Sequence, residues 1–123
     1  MVLVDTSVWI SHLRETQIDL VTLLNKGEAA CHPFIIGELA CGNLKKRVLI
    51  LSLLHDLPSV SAVEHEEVLV FIEAHKLMGK GLGYVDVHLL ASAMLSGLPI
   101  WTLDKNLGKV AETLRCNYRR IPG

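Results

Sequence analysis

Short apolar runs alternate along the chain with segments of helical periodicity. Such runs occur at Val2–Val4, 29–32 and 100–103, and weaker strand candidates lie at 60–63 and 117–121. Strands that alternate with helices are typical of a parallel sheet covered by helices on both faces. The pattern therefore predicts an α/β fold, a three-layer α/β/α sandwich with a central, mainly parallel sheet of about five strands.

The helical segments are identified by their spacing and by the residues at their ends. Ile18, Val21 and Leu24 recur every three residues, and Gly27 follows as a helix C-cap. Pro33 suits the first turn of a helix that reaches about residue 43. Further helices are expected at 6–13, 45–54, 64–78, 84–96 and 104–114, and the glycine-rich stretch 79–83 is expected to be a flexible loop.

The composition predicts one folded domain with apolar surface to spare. The chain has 123 residues, of which 50% are hydrophobic, and we expect a single domain spanning 1–123. The mean hydropathy of +0.39 predicts that a partner chain, a second copy in a homodimer, or both cover part of the surface. No apolar stretch approaches the roughly 18 residues of a membrane span, and Asp5 interrupts the apolar start, so we expect a cytoplasmic protein without a signal peptide. Three cysteines without a CxxC pair predict free thiols, and six histidines show no zinc-binding spacing.

Two acidic residues stand directly after apolar strands. Asp5 follows Val2–Val4, and Asp104 follows the run at 100–103. Ligands of open parallel sheets bind at the carboxyl ends of the strands, so both side chains are candidates for a site. Thr102 lies one strand period before Asp104, and its side chain could share that site. Either acid could instead be a helix N-cap.

Two further acids are placed on helix faces that carry apolar residues. The helical neighbours of Glu38 at three and four residues are apolar or small, which predicts that Glu38 projects from the buried side of its helix or from its border. A metal ligand or an ion pair with a lysine or arginine would explain a carboxylate there. Asp86 begins a helix on the face of Leu89, Leu90 and Ala93, and it could alternatively be a first-turn acid that interacts favourably with the helix dipole.

Taken together, the four acids predict a site for a hard divalent cation. Four carboxylates close to one another repel strongly without a cation, and a set of oxygen ligands favours Mg²⁺ or Mn²⁺ over zinc. The formal net charge is −1, with 12 basic and 13 acidic residues. The residues outside the proposed site are therefore mildly basic, as suits an enzyme that acts on a polyanion.

The segments around these acids resemble a known family, the PIN-domain ribonucleases. They read VLVDTS at 2–7, IGELACG at 36–42, VDVHLLASA at 85–93 and TLDKNL at 102–107. In length and motif order, essentially the whole chain resembles the VapC toxins of prokaryotic toxin–antitoxin pairs. The resemblance implies a PIN-like sandwich in which the first strand is central and the strand before Asp104 lies beside it.

The same resemblance implies a function and a set of site residues. It implies a Mg²⁺-dependent endoribonuclease, with Mn²⁺ as a possible substitute, that hydrolyses RNA phosphodiester bonds and is held by a VapB-like antitoxin. The acids matching the family's metal site are Asp5, Glu38, Asp86 and Asp104, and Ser7 and Thr102 match polar positions that line it. The candidates for contacts with the RNA backbone, which could equally be solvated surface charges, are Lys45, Lys46, Arg47, Arg119 and Arg120.

Two other functions fit an α/β fold of this length. A receiver-like phosphoacceptor domain needs paired acids after the first strand, and only Asp5 stands there. A non-catalytic binding module on the same fold would bind its partner whether or not Asp5 is replaced by Asn. A nuclease would lose its activity with the same substitution.

Overall fold

The structure is a computed structural model and describes residues 1–119. These residues form seven helices and three strands, in the order β1 (Val2–Val4), α1 (Thr6–Arg14), α2 (Ile18–Asn25), β2 (Ala29–Ala30), α3 (Pro33–Ala40), α4 (Arg47–His55), α5 (His65–His75), α6 (Tyr84–Ser96), β3 (Ile100–Trp101) and α7 (Lys105–Thr113).

The three strands form a parallel sheet in the order β2-β1-β3. Val2, Leu3 and Val4 are all buried, although successive strand residues point to opposite faces of a sheet. Both faces of β1 are therefore covered, which confirms the α/β sandwich. The central position of β1, with β3 beside it, is the arrangement that the family resemblance implied.

The sheet of residues 1–119 is narrower than the five strands expected. Ser59 pairs with Cys31, and Asn117 pairs with Ile100, each through an isolated parallel bridge rather than a strand. The predicted strand at 60–63 is therefore wrong, because pairing at this edge ends with the backbone bond from Val60 N to the Cys31 carbonyl. Of the predicted strand at 117–121, the last two residues lie outside the described part of the chain.

Strand β3 ends at Trp101, two residues earlier than predicted, because side-chain oxygens take over the hydrogen bonds of the next backbone N–H groups. The backbone N–H of Leu103 donates to Ser7 Oγ at 2.9 Å, and that of Asp104 donates to Thr102 Oγ1 at 3.0 Å. These side-chain oxygens replace the partners that a strand ladder would supply. The chain thus leaves the sheet at the place where the candidate site begins.

The helices occupy the predicted regions, and their ends differ by a few residues. Helix α3 ends at Ala40 rather than near residue 43, and α5 ends at His75 rather than at 78. Lys46 and Lys76, at the start of α4 and the end of α5, have φ values of 54° and 52°, which no α-helix can continue. Gly27 has φ 68° just after α2, as expected for a helix-ending glycine.

Helix α6 is the most deeply buried helix element beside the sheet. Every residue from Val87 to Ala93 is buried, and the small side chains Ala91, Ser92 and Ala93 allow the helix to lie close to its neighbours. Within residues 1–119, no helix is long and apolar enough to cross a membrane.

Candidate active site

The carboxylate of Asp5 lies at the carboxyl end of β1 and is only 5% exposed. Its Oδ2 accepts hydrogen bonds from Ser7 Oγ and from Thr102 Oγ1, both at 2.7 Å. It also accepts a longer bond of 3.4 Å from the Ser7 backbone N–H, so Asp5 is the N-cap of α1. Among residues 1–119, Oδ1 takes no hydrogen bond and is left for another ligand.

The two hydroxyl groups join the end of β1 to the end of β3. Ser7 Oγ and Thr102 Oγ1 lie 3.2 Å apart, and each also accepts one of the backbone N–H groups just after β3. Each hydroxyl can therefore accept from the backbone and donate to Asp5. This network fixes the orientation of Asp5 relative to the backbone of Asp104, and it places Ser7 and Thr102 in contact with Asp5.

Asp86 is electrostatically coupled to the other two aspartates. Burial raises the pKa of its carboxyl group, and the negative charges of Asp5 and Asp104 raise it further, while a hydrogen bond from Gly83 N–H to Oδ2 at 2.9 Å opposes the shift. Three chain segments thus bring their carboxylates within electrostatic reach of one another. Asp86 is held at the third position of α6, where it accepts the N–H of the N-cap residue.

Asp104 is the N-cap of α7. Its Oδ1 accepts the backbone N–H of Leu107 at 2.9 Å, and its side chain is exposed. The alternative prediction that Asp5 and Asp104 are helix N-caps is therefore confirmed. In both residues capping occupies one carboxylate oxygen, so the cap does not prevent the other oxygen from binding a ligand.

Glu38 is exposed, so of the two placements expected for it the buried side of α3 is wrong and the border of that side is left. Helix α3 buries Ile35 and Leu39 instead. Glu38 Oε1 accepts a hydrogen bond from Thr6 Oγ1 at 2.7 Å, and Thr6 directly follows Asp5. The contact ties Glu38 to the start of α1, on the Asp5 side of the site. Sequence reasoning missed Thr6, although its place beside Asp5 was a signal.

The donor set suits a hard divalent cation, although the carboxylates do not surround one as they stand. Among residues 1–119, no three Asp, Glu, His or Cys side chains are arranged to hold a metal ion. Asp86 and Asp104 each direct an oxygen to a backbone N–H, and Glu38 binds Thr6. Closure around a cation would therefore require side-chain rotation, while the mutual repulsion that raises the pKa of Asp86 is what a cation would relieve.

The basic residues singled out from the sequence lie in different places. Lys45 lines a cavity together with Glu38 and Arg14. Arg47 donates from Nη1 to the Gly42 carbonyl at 3.3 Å, while Arg119 is exposed. Lys46 is also exposed, next to Lys45, and Arg120 lies outside the described residues.

A family model for the PIN domain matches residues 2–113. This chain belongs to the PIN-domain family. Within it, Ribonuclease VapC32 from two strains of Mycobacterium tuberculosis is 50% identical to this PIN-domain chain over 108 residues, or 87% of each protein. The resemblance to VapC-type PIN-domain ribonucleases is thereby confirmed.

A solved structure has the same PIN-domain architecture at much lower identity. The crystal structure of PAE2754 from Pyrobaculum aerophilum is similar with a TM-score of 0.64 and 18% identity, over 92% of this chain and 90% of that one. At this identity the likeness concerns the fold alone.

Proposed function

We propose that this PIN-domain protein is a metal-dependent endoribonuclease that hydrolyses RNA phosphodiester bonds as the toxin of a VapBC-type pair. The observation that carries the proposal is that Thr102 links Asp5 to Asp104 by hydrogen bonds at the ends of β1 and β3, with Asp86 of α6 near enough for their charges to act on it. RNA is itself a polyanion, so an acidic site of this kind repels the reacting phosphate unless a cation neutralises the site. The 50% identity to a protein named as a ribonuclease supports the same activity.

The residues that would hold Mg²⁺, or Mn²⁺ in its place, are Asp5, Asp86, Asp104 and Glu38. Such an ion, when bound, acidifies a water molecule and offsets the negative charge of the reacting phosphate. Asp5 supplies a rigid ligand, because two hydroxyl donors hold its Oδ2 in place. Glu38 and Asp104 are exposed and can turn toward the site from its two sides.

Asp86 is the proposed proton acceptor for the attacking water. Burial is the main cause of its raised pKa, and a cation that offsets the charges of Asp5 and Asp104 leaves this effect of burial in place, so its carboxylate is more basic than an exposed aspartate. Gly83 N–H holds Oδ2, which leaves Oδ1 to take the proton. A hydroxide generated in this way would attack the phosphorus and release one of the two ester oxygens.

The test is a cleavage assay on purified protein and single-stranded RNA. We expect cleavage with Mg²⁺ or Mn²⁺, loss of cleavage in EDTA, and recovery when the metal is restored. Asp5→Asn should reduce the rate on the order of a hundredfold or more, because it removes one ligand charge and leaves the rest of the fold in place. The matched control is Asp56→Asn, which changes an exposed aspartate at the end of α4 and should cleave like the wild type.

Cleavage that persists in EDTA, or an unchanged rate in Asp5→Asn, would show that the acids do not perform the reaction. The second result would favour a contaminating nuclease or a binding module on the same fold.

The proposal includes two protein partners, a VapB-type antitoxin and a second copy of the chain. Large apolar side chains are exposed at Ile18, Val48, Val70 and Leu95, with 68% to 84% of each accessible, and partner chains would cover such surface. The partner assignment fails if a co-expressed VapB-type protein neither co-purifies with this chain nor suppresses its cleavage of RNA.

A further inference from the structure

Three lysines line one cavity next to the acidic site. Lys76 and Lys80 come from the segment between α5 and α6, and Lys109 comes from α7. Asn106 and Gly81 line the same cavity, and the rest of its lining comes from the end of α5 and the loop after it and from the second half of α7 and the residue that follows it: His75, Leu77, Gly79, Val110, Thr113 and Leu114. None of these lysines was selected from the sequence as an RNA contact.

The cavity carries the positive charges of three lysines, and no acidic side chain among the described residues pairs with them. No Asp or Glu is among its lining residues, and within residues 1–119 the ammonium groups of Lys76, Lys80 and Lys109 take part in no ion pair. The whole chain has a formal charge of −1, so this cluster is a local feature rather than a reflection of a basic protein. Uncompensated cations that converge on a cavity favour an anionic ligand.

The lysine cavity and the acidic site share two segments of chain. In the loop before α6, Gly81 lines the cavity, while two residues later Gly83 donates its N–H to Asp86. In the first turn of α7, Asp104 is the N-cap, while Asn106 reaches the cavity and donates from Nδ2 to the Gly81 carbonyl at 3.4 Å. The cavity therefore begins where the acidic site ends.

The two segments are in contact at Gly81, whose positive φ favours glycine. Gly81 has φ 76°, and a Cβ atom there would lie 2.5 Å from Asn106 Nδ2. A larger residue at position 81 would therefore disturb the place where the loop that carries Lys80 meets α7.

We propose that the cavity formed by Lys76, Lys80, Lys109 and Asn106 binds the phosphodiester backbone of the RNA on one side of the cleaved bond. The inference rests on the proposed ribonuclease function and adds a second contact region to it. Lys45 shares a cavity with Glu38 of α3, which follows β2, whereas α7 follows β3 on the other side of the central strand. An RNA strand that crosses the acidic site would therefore lie between two basic regions. Among residues 1–119 no Phe, Tyr or Trp lines the lysine cavity, and its ring-bearing residue, His75, stands beside three lysines, so we assign the contact to phosphates rather than to stacked bases.

The test measures RNA binding with catalysis blocked. In the Asp5→Asn background, without divalent metal, the affinity for a single-stranded RNA of about twelve nucleotides is measured against salt concentration. Each phosphate contact on a single strand contributes roughly 0.7 to the slope of log K against log salt. We expect Lys80→Gln or Lys109→Gln to lower the slope by about 0.7, and the double variant to lower it by about 1.4.

Two controls separate this contact from a general loss of charge or fold. Lys26→Gln removes an exposed lysine at the end of α2. This lysine lies just before the amino end of β2, whereas the acids lie at the carboxyl ends of the strands, so the slope should be unchanged. A dinucleotide is too short to occupy both the acidic site and the cavity. With metal and an intact Asp5, the double variant should cleave a dinucleotide at the wild-type rate but show a raised KM for the longer RNA.

Several outcomes would overturn the inference. They are an unchanged slope in the double variant, an equal loss in Lys26→Gln, or an equal loss of dinucleotide cleavage. A double variant that binds RNA normally but no longer binds a VapB-type protein would assign the cavity to that protein instead. If the wild type cleaves no RNA at all, it is the proposed function that fails, because the binding experiment does not depend on cleavage.

Discussion

At the scale of single residues, Asp5 and Asp104 each have a structural task that is compatible with the chemical one proposed for them. Each caps a helix with one carboxylate oxygen, and Asp5 also receives two hydroxyl groups on that same oxygen. The N-cap and the metal ligand were alternatives in the sequence, whereas in the structure they are compatible. The cap and the two hydroxyl donors restrict the rotamer of Asp5, and a restricted carboxylate loses less conformational entropy on binding a cation.

Replacing Thr102 tests whether the hydrogen bonds that hold Asp5 contribute to stability and to activity. Thr102→Val removes the donor to Asp5 Oδ2 and the acceptor of the Asp104 N–H, at nearly constant volume. We expect a loss of about 1 kcal/mol in the free energy of unfolding, measured with urea, together with a lower kcat. Thr102→Ser keeps the hydroxyl group and should retain most of both. If Thr102→Val matched the wild type while Thr102→Ser was impaired, the methyl group, and not the hydrogen bonds, would be what matters.

At the scale of elements, α3 depends on an unusual cap. The buried His32 is its N-cap, and Nδ1 accepts the backbone N–H of Phe34 at 3.0 Å, so Nδ1 must be unprotonated. Nε2 lies 3.0 Å from Ser92 Oγ and donates to it in this tautomer. Burial, and to a smaller extent the neighbouring His88, lowers the pKa of His32 to about 4.

This cap predicts a pH dependence of folding. The folded pKa of His32 is below the ordinary value of about 6.5, so the unfolded chain binds more protons between these two values. The stabilisation is present above about pH 6.5 and is lost as the pH falls toward 4, with a total of up to about 3 kcal/mol. His32→Asn keeps a capping oxygen without titrating. Urea unfolding at several pH values should therefore show a shallower loss of stability for His32→Asn than for the wild type, and parallel curves would contradict the prediction.

At the scale of the whole molecule, the parallel sheet explains how much of the site the sequence could predict. The carboxyl ends of parallel strands meet at one end of the sheet, so the residues that follow β1 and β3 had to be neighbours. Asp5 comes directly after β1, and Asp104 comes three residues after the end of β3. The exposure of Glu38 was not predictable in the same way. Apolar residues flank it at helical spacing on both sides, and only the packing of α3 decides which of them are buried.

The lysine cavity could not be predicted from the sequence either. Lys80 and Lys109 are 29 positions apart and belong to no motif, and they share a wall because Gly81 and Asn106 are in contact. The strand count was overestimated because short apolar stretches at the sheet edges form only single bridges. Pattern alone cannot distinguish a bridge from a strand of the same composition.

The central claim is that acids from separate segments form one binding site for a divalent cation. The most direct measurement is a Mn²⁺ titration of metal-free protein, followed by the paramagnetic signal of the free ion. We predict that the wild type and Asp56→Asn bind Mn²⁺ alike, and that Asp86→Asn and Asp104→Asn each weaken binding on the order of tenfold or more. A wild type that binds no Mn²⁺, or aspartate variants that bind it as tightly as the wild type, would contradict the claim.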